Sequence, residues 1–251
     1  MINQNDLDRV KKYISESKNI VFFGGAGVST DSGIPDFRSK DGLYNQQDIR
    51  FDKYEPEYLL SATCLREEPE VFFEFYRQKL DTQNITPNNT HKVLAKMEAR
   101  GKLSAIVTQN IDGLHQKAGS KNVLEIHGTT ARNYCAECHK EYPADYIFDS
   151  KENVPRCHCG GMIRPDVTLY EEELPGKTVS QAILAINQAD CLIVGGTSLS
   201  VYPAATYISY FRGNHLIVVN KEPVKVTLNP DTDIAMVGSL GDVFTTLTDI
   251  I

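Results

Sequence analysis

The sequence predicts an α/β fold, a Rossmann-like parallel sheet with helices on both faces, carrying a helical insert and a small cysteine-bearing insert. Three observations predict it. Five short apolar runs of strand length recur along the 251 residues. Helical patterns separate most of them, which is the rhythm of parallel strands joined by crossover helices. The first run ends in Gly24-Gly25-Ala26-Gly27, as a buried strand feeding a glycine turn does.

Residues 6–17 open the chain as a helix, with Leu7, Val10 and Ile14 on one face. Asn19–Phe23 is the first strand. Residues 39–90 carry helical segments and no strand, so they read as a helical excursion ending in a helix at 68–80. A helix at 89–100 returns to the sheet, followed by strands Leu103–Val107 and Val123–Ile126. Residues 129–165 hold four cysteines and many turn formers with little periodicity, and read as a second, small module. Then come a helix at 175–188, strand Cys191–Val194, a helix at 203–212, strand Leu216–Val219 and a helix at 241–250. The organisation expected is one domain over 1–251, its sheet unit built from 1–38, 91–128 and 166–251. No internal repeat or flexible linker interrupts it.

Composition is ordinary for a globular chain, with 41% hydrophobic and 24% charged residues. No stretch approaches the roughly 20 apolar residues that span a bilayer. The first ten residues are polar and carry two aspartates, unlike a signal or transit peptide. A cytoplasmic, membrane-free protein is expected. The net charge of −7 argues against nucleic acid as a partner.

Chemistry concentrates at strand ends. Gly25-Ala26-Gly27 lets backbone N–H groups approach a pyrophosphate, although Thr30 stands where a dinucleotide fingerprint has its third glycine. The bland reading is a tight turn that holds no ligand. Asp36-Phe37-Arg38 then offers an acceptor, a ring and a phosphate partner in one loop. Gln109, Asn110 and Asp112 follow the second strand, where open α/β sheets bind ligands, and their side chains can read an amide and ribose hydroxyls. Asp112 also suits a helix cap. His127 ends the third strand within Glu125-Ile126-His127-Gly128. A lone strand-end histidine is more often structural, but its ordinary pKa suits a proton acceptor at neutral pH. His91 and His115 are lesser candidates.

Cys135-x-x-Cys138 and Cys157-x-Cys159 form two close thiol pairs. Such pairs on loops can complete a tetrahedral zinc site, and four protein ligands leave no open position, so the zinc is structural. His139 and His158 adjoin the cluster as competing ligands. The segment 129–165 balances five basic residues against five acidic ones, so it offers no nucleic-acid patch.

The run Gly25-Ala26-Gly27-x-Ser29, continuing to Ser32-Gly33-Ile34-Pro35-Asp36-Phe37-Arg38, resembles the signature of the sirtuin family. So does Thr108-Gln-Asn-Ile-Asp-Gly-Leu-His115. The similarity extends from residue 19 to the end, with Gly24 standing where the family usually has threonine and Cys-x-Cys where its second zinc pair is longer. The resemblance implies a protein-lysine deacylase, most simply a deacetylase, that uses NAD as co-substrate. The acyl oxygen attacks the nicotinamide ribose, nicotinamide leaves, and the acyl group passes to ADP-ribose. It implies His127 as the general base, catalytic together with Asn110. It implies NAD contacts from Gly25, Ala26, Gly27, Ser29, Asp36, Phe37, Arg38, Gln109, Asn110 and Asp112. Further contacts are implied from Gly196, Thr197, Ser198, Asn220, Asp242 and Val243. Partners are acyl-lysine proteins or peptides.

On the peptide side, Arg164 to Glu172 resembles the family's acyl-peptide segment, in which Val167 lines the acyl tunnel. Tyr170-Glu171-Glu172 replaces the common Phe-Gly-Glu. Tyr76 and Lys79 occupy the places of a Tyr-x-x-Arg pattern that holds acidic acyl groups in some sirtuins; a solvated helical face is the simpler reading. The rival functions are an ADP-ribosyltransferase or NAD glycohydrolase using the same pocket, a preference for succinyl or malonyl groups, a dehydrogenase, and a binding module without catalysis.

Overall fold

The structure is a computed structural model that describes residues 3–37, 39, 42–45, 48–199 and 202–248. Its strands are β1 (Ile20–Gly24), β2 (Leu103–Thr108), β3 (Val123–Glu125), β4 (Gly128–Cys135), β5 (Glu141–Pro143), β6 (Ile163–Val167), β7 (Cys191–Gly195), β8 (His215–Asn220) and β9 (Ile234–Val237). The helices are α1 (Gln4–Glu16), α2 (Pro56–Leu59), α3 (Ala62–Glu67), α4 (Pro69–Leu80), α5 (Asn89–Ala99), α6 (Leu114–Lys117), α7 (Asp145–Phe148), α8 (Gly176–Gln188) and α9 (Leu240–Leu247).

Six strands form one parallel sheet in the order β3-β2-β1-β7-β8-β9. The apolar runs are continuous because both faces are covered. Along β1, Ile20 and Phe22 enter the core beneath α1, α5 and α9, whereas Val21 and Phe23 enter the core beneath α8. Caps fix where helices begin. Asn3 accepts from the Asn5 N–H, and Asn88 and His91 form a reciprocal cap on α5.

The two excursions share one hydrophobic core. Phe72, Phe73, Tyr76 and Leu80 of α4 pack in the same cluster as Cys135, Tyr142, Ile147, Cys157 and Ile163. Residues 129–165 are more regular than their sequence suggests. Strands β5, β4 and β6 make an antiparallel sheet, and β6 runs through residue 165 to pair Val167 with Gly128. The short edge strand β9 also lacks a sequence signal. The segment predicted as a helix at 203–212 is a 3-10 helix over Ala204–Tyr210. Among the described residues, no helix is long and apolar enough to cross a membrane.

Candidate active site and zinc centre

A cleft of about 790 Å³ opens beyond the carboxyl ends of β1, β2, β7 and β8. That is the size of a small-molecule or cofactor site. Its nucleotide-side wall includes Ala26, Gly27, Asp36, Phe37, Gln109, Asn110, Gly196, Thr197, Ser198 and Asn220. The β1 and β7 turns meet backbone to backbone: the Gly27 N–H donates to the Gly196 carbonyl at 2.8 Å. A Cβ on Gly27 would stand 2.8 Å from Gly196 Cα, so only glycine permits this approach. Gly25 lies behind that contact.

Gln109 joins the strand ends. Its N–H donates to the Gly24 carbonyl at 2.9 Å, and its Oε1 accepts from the Thr197 hydroxyl at 2.9 Å. Its Nε2 is buried without a partner among the described residues. A buried donor is expensive to leave unpaired. An oxygen-rich ligand in this cleft would satisfy it, so the residues present fit a dinucleotide.

Behind the cleft wall lies a charged network. The Ser29 hydroxyl donates to Asp112 Oδ2 at 2.6 Å and accepts from Asn110 Nδ2 at 3.0 Å. Asp112 Oδ1 accepts from the Leu114 N–H at 2.9 Å, so it also caps α6. The carboxylate therefore orients Asn110 through Ser29, and Asn110 is the member of the trio at the cleft surface.

His127 lies on the cleft floor beside Ile111, Val167 and Thr168. Its Nδ1 is 2.9 Å from the Gln109 carbonyl oxygen. A carbonyl can only accept, so Nδ1 carries the hydrogen and Nε2 keeps the lone pair of the neutral ring. The His127 carbonyl accepts from the Thr168 N–H at 2.9 Å, which ties the histidine to the segment after β6.

The four cysteines converge, with all four Sγ atoms within 4.8 Å of one another. Cys135 and Cys159 Sγ lie 3.5 Å apart, Cys138 and Cys157 Sγ 3.6 Å apart. Four sulfurs about 2.3 Å from a tetrahedral zinc stand about 3.8 Å apart, so the cage fits that ion. The surroundings favour thiolates at two of the four sulfurs. Against the Gly161 N–H, the crowded neighbouring sulfurs push Cys159 up to about 12, a repulsion that a bound cation would relieve. The N–H groups of Cys138 and Glu137 lower the Cys135 pKa. The N–H of Cys159 and the Tyr142 hydroxyl bring Cys157 to about 6. Gly161 completes the cage, because a Cβ there would stand 2.7 Å from Cys135 Sγ.

The Sir2 family model matches residues 25–203, a span that contains the glycine turn, the Gln109–Asp112 block, His127 and all four cysteines. The chain belongs to the Sir2 family. Among curated relatives, an NAD-dependent protein deacetylase of Clostridium acetobutylicum is 50% identical over 98% of this chain and 100% of its own length. Another, from Clostridium perfringens, is 52% identical over 97% of this chain and 98% of its own. The solved structure of a Sir2 enzyme, studied for mechanism and regulation, superposes with a TM-score of 0.84 at 36% identity and covers 98% of both chains. A complex of Sir2 with a p53 peptide and NAD+ gives 0.82 at 32% identity, covering 97% of this chain and 98% of that one.

Within this Sir2 chain, several expected positions stand elsewhere than the cleft surface. Tyr76 is fully buried, stacked between Phe72 and Phe148, so its ring belongs to the helical core. Neither it nor Lys79 is among the described residues that line the cleft. Val243 is buried in the core under the sheet. Asp242 is exposed at the start of α9, its N–H on Ser239 Oγ, and Leu240 is the residue of that helix that reaches the cleft. Arg38 lies outside the described residues.

Thr168, Tyr170 and Glu171 of the expected acyl-peptide segment line the cleft, and so do two residues that sequence reasoning missed, Leu60 beside that segment and Tyr44 beside Phe37. The alternation of β6 continues past its end: Val167 and Leu169 turn into the helical core, while Thr168 and Tyr170 are the more open positions. That period of two was the available signal. Tyr44 had none.

Proposed function

We propose that this chain is an NAD-dependent protein-lysine deacetylase whose proton acceptor is Nε2 of His127. The observation that carries the assignment is the His127–Gln109 pairing on the floor of a cleft walled by a glycine turn on one side and the β6 extension on the other. NAD supplies the ADP-ribose that accepts the acyl group and the nicotinamide that leaves.

Each residue then has a defined task. Ala26, Gly27, Gly196, Thr197 and Ser198 hold the phosphate and ribose portions, with Asn220 at the far ribose. Gln109 offers its buried Nε2–H to the cofactor. Asn110, held by Ser29 and Asp112, orients the nicotinamide end, and Asp36 and Phe37 cover it and exclude water. His127 takes a proton that develops on a ribose hydroxyl; positioning and general-base action together are worth many orders of magnitude in such sites. Val167 and Thr168 flank the acyl-lysine beside the histidine. Zinc on Cys135, Cys138, Cys157 and Cys159 clamps the small sheet, which fixes β6 and so the peptide seat. The protein acts on acyl-lysine proteins in the cytoplasm, apart from membranes and nucleic acids.

The test is a panel of acetyl-, succinyl- and longer acyl-lysine peptides incubated with NAD and read by mass spectrometry. Free lysine peptide, nicotinamide and O-acetyl-ADP-ribose should appear together, fastest for acetyl. Free ADP-ribose made without peptide, or label fixed on protein, would refute the deacetylase assignment.

A further inference from the structure

Two tyrosine hydroxyls meet across the mouth of the cleft, and no role assigned above uses them. Tyr44 Oη lies 2.9 Å from Tyr170 Oη. The two residues belong to opposite halves of the site. Tyr44 is bound to the nucleotide loop: its N–H donates to the Phe37 carbonyl, the Leu43 N–H donates to the Asp36 carbonyl, and its ring meets Phe37 edge-on at 5.4 Å. Tyr170 belongs to the peptide seat. Its N–H donates to the Leu60 carbonyl at 3.0 Å, its own carbonyl accepts from the Ala62 N–H at 3.1 Å, and it forms a bridge with Ser61.

Glu171 secures the Tyr170 side. Its backbone is left-handed, with φ +76°. Its Oε2 accepts both from the Thr63 N–H at 2.9 Å and from the Thr63 hydroxyl at 2.7 Å. Tyr170 is thus anchored to the α3 end of the helical lobe. Its hydroxyl reaches Tyr44, which is bonded to the loop covering the nicotinamide end. Phenylalanine, common at this place in the family pattern, would offer a ring with no such bond.

We propose that Tyr170 and Tyr44 are positioning residues that couple the two substrates energetically. Loading the peptide seat fixes Tyr170, Tyr170 fixes Tyr44, and Tyr44 fixes the Asp36–Phe37 loop over the cofactor. Coupling of this kind is reciprocal: peptide tightens the nucleotide and nucleotide tightens the peptide by the same factor. One neutral hydrogen bond sets its scale at about 3- to 10-fold. The proposal rests on the deacetylase reading for the identity of the two ligands.

The test measures ADP-ribose binding by calorimetry with and without an acetyl-lysine peptide, a pair that cannot react. The full chain is compared with Y170F, Y44F and the double variant, each checked by thermal melting. The parent should bind ADP-ribose about 3- to 10-fold more tightly when peptide is present. Either single change should bring that factor near one, and the double variant should lose no more than either single one. Melting temperatures should stay unchanged, because each substitution keeps the ring. A parent without coupling, an unaltered factor in Y170F, or additive losses in the double variant would each overturn the proposal. Failure of the deacetylase reading would show separately, as absence of acetyl-peptide turnover by the parent with NAD.

Discussion

The Gln109 carbonyl oxygen sits 2.9 Å from Nδ1 of His127 and sets which nitrogen of that ring can act as a base. His127→Ala should therefore lower acetyl-lysine turnover by about 100- to 10,000-fold, the usual value of a placed general base. The ring is only half-buried, so the fold should survive its removal. Mass spectrometry of peptide turnover and a thermal melt would check both parts. Unchanged turnover would remove His127 from the role.

The sulfur cage predicts one zinc per chain and a stability that depends on it. Cys135 and Cys157 are buried in the same core as Phe72 and Phe73, so losing the ion exposes the helical lobe as well as the small sheet. Cys138→Ser should abolish stoichiometric zinc by atomic absorption. It should cost about 4 kcal/mol or more, a fall of roughly 10 °C in melting temperature for a chain this size. A strong chelator should reproduce the effect. Zinc retained at one per chain in the serine variant would point to His139 or His158 as a fourth ligand.

How much of this was visible beforehand follows from burial. The strands β1, β2, β7 and β8 announce themselves because both faces are covered, which leaves uninterrupted apolar runs. Strand β4 does not. It buries Thr129, Thr130 and Asn133 and exposes Ala131 and Arg132, so its burial breaks the period of two where the register shifts and polar residues lie inside. The bond from Asn133 Nδ2 to the Pro143 carbonyl, which satisfies the donor half of that buried amide, is a tertiary fact. The cofactor side was legible because glycines, amides and carboxylates crowd at strand ends. The Arg164–Glu172 side of the peptide seat was legible in part; Leu60 and Tyr44 were not, because they are far from it in the chain and ordinary as residue types. Tyr76 shows the converse: a helix position matching a pattern is turned by packing into the core.

Glu171 provides a test of local strain against local capping. A left-handed backbone costs a non-glycine residue about 1–2 kcal/mol. The carboxylate offsets this by accepting from Thr63 at the first turn of α3, worth about 1 kcal/mol. Glu171→Ala keeps the strain and loses the cap, so it should destabilise the chain by about 1 kcal/mol. Glu171→Gly loses both and should stand about 1 kcal/mol above the alanine variant. Denaturant melts of the three proteins decide the matter. An alanine variant as stable as the glycine variant would show that φ at this position relaxes when the Thr63 bonds are removed.

The buried pair His91 and His115 predicts an acid sensitivity that has nothing to do with catalysis. Their rings meet edge-on at 4.7 Å, and neither ring nitrogen of His115 has a partner among the described residues. Burial, and then the neighbouring His91, hold His115 at about 3 against an ordinary 6.5. Burial lowers His91 to about 4, with the Asp112 charge opposing. The unfolded chain takes up these protons near pH 6.5, whereas the folded chain does not until far lower. Between those limits the unfolded state binds more protons, so the stability these neutral rings give above pH 6.5 is lost as pH falls toward 3–4. Replacing His115 by methionine removes one titrating group from a site where it makes no hydrogen bond. On going from about pH 7.5 to about pH 5, the variant should lose about 2 kcal/mol less stability than the parent, since one group contributes about 1.4 kcal/mol per pH unit. Urea melts at the two pH values measure this directly. Equal losses in parent and variant would mean that the His115 site opens to water and protonates in the folded state.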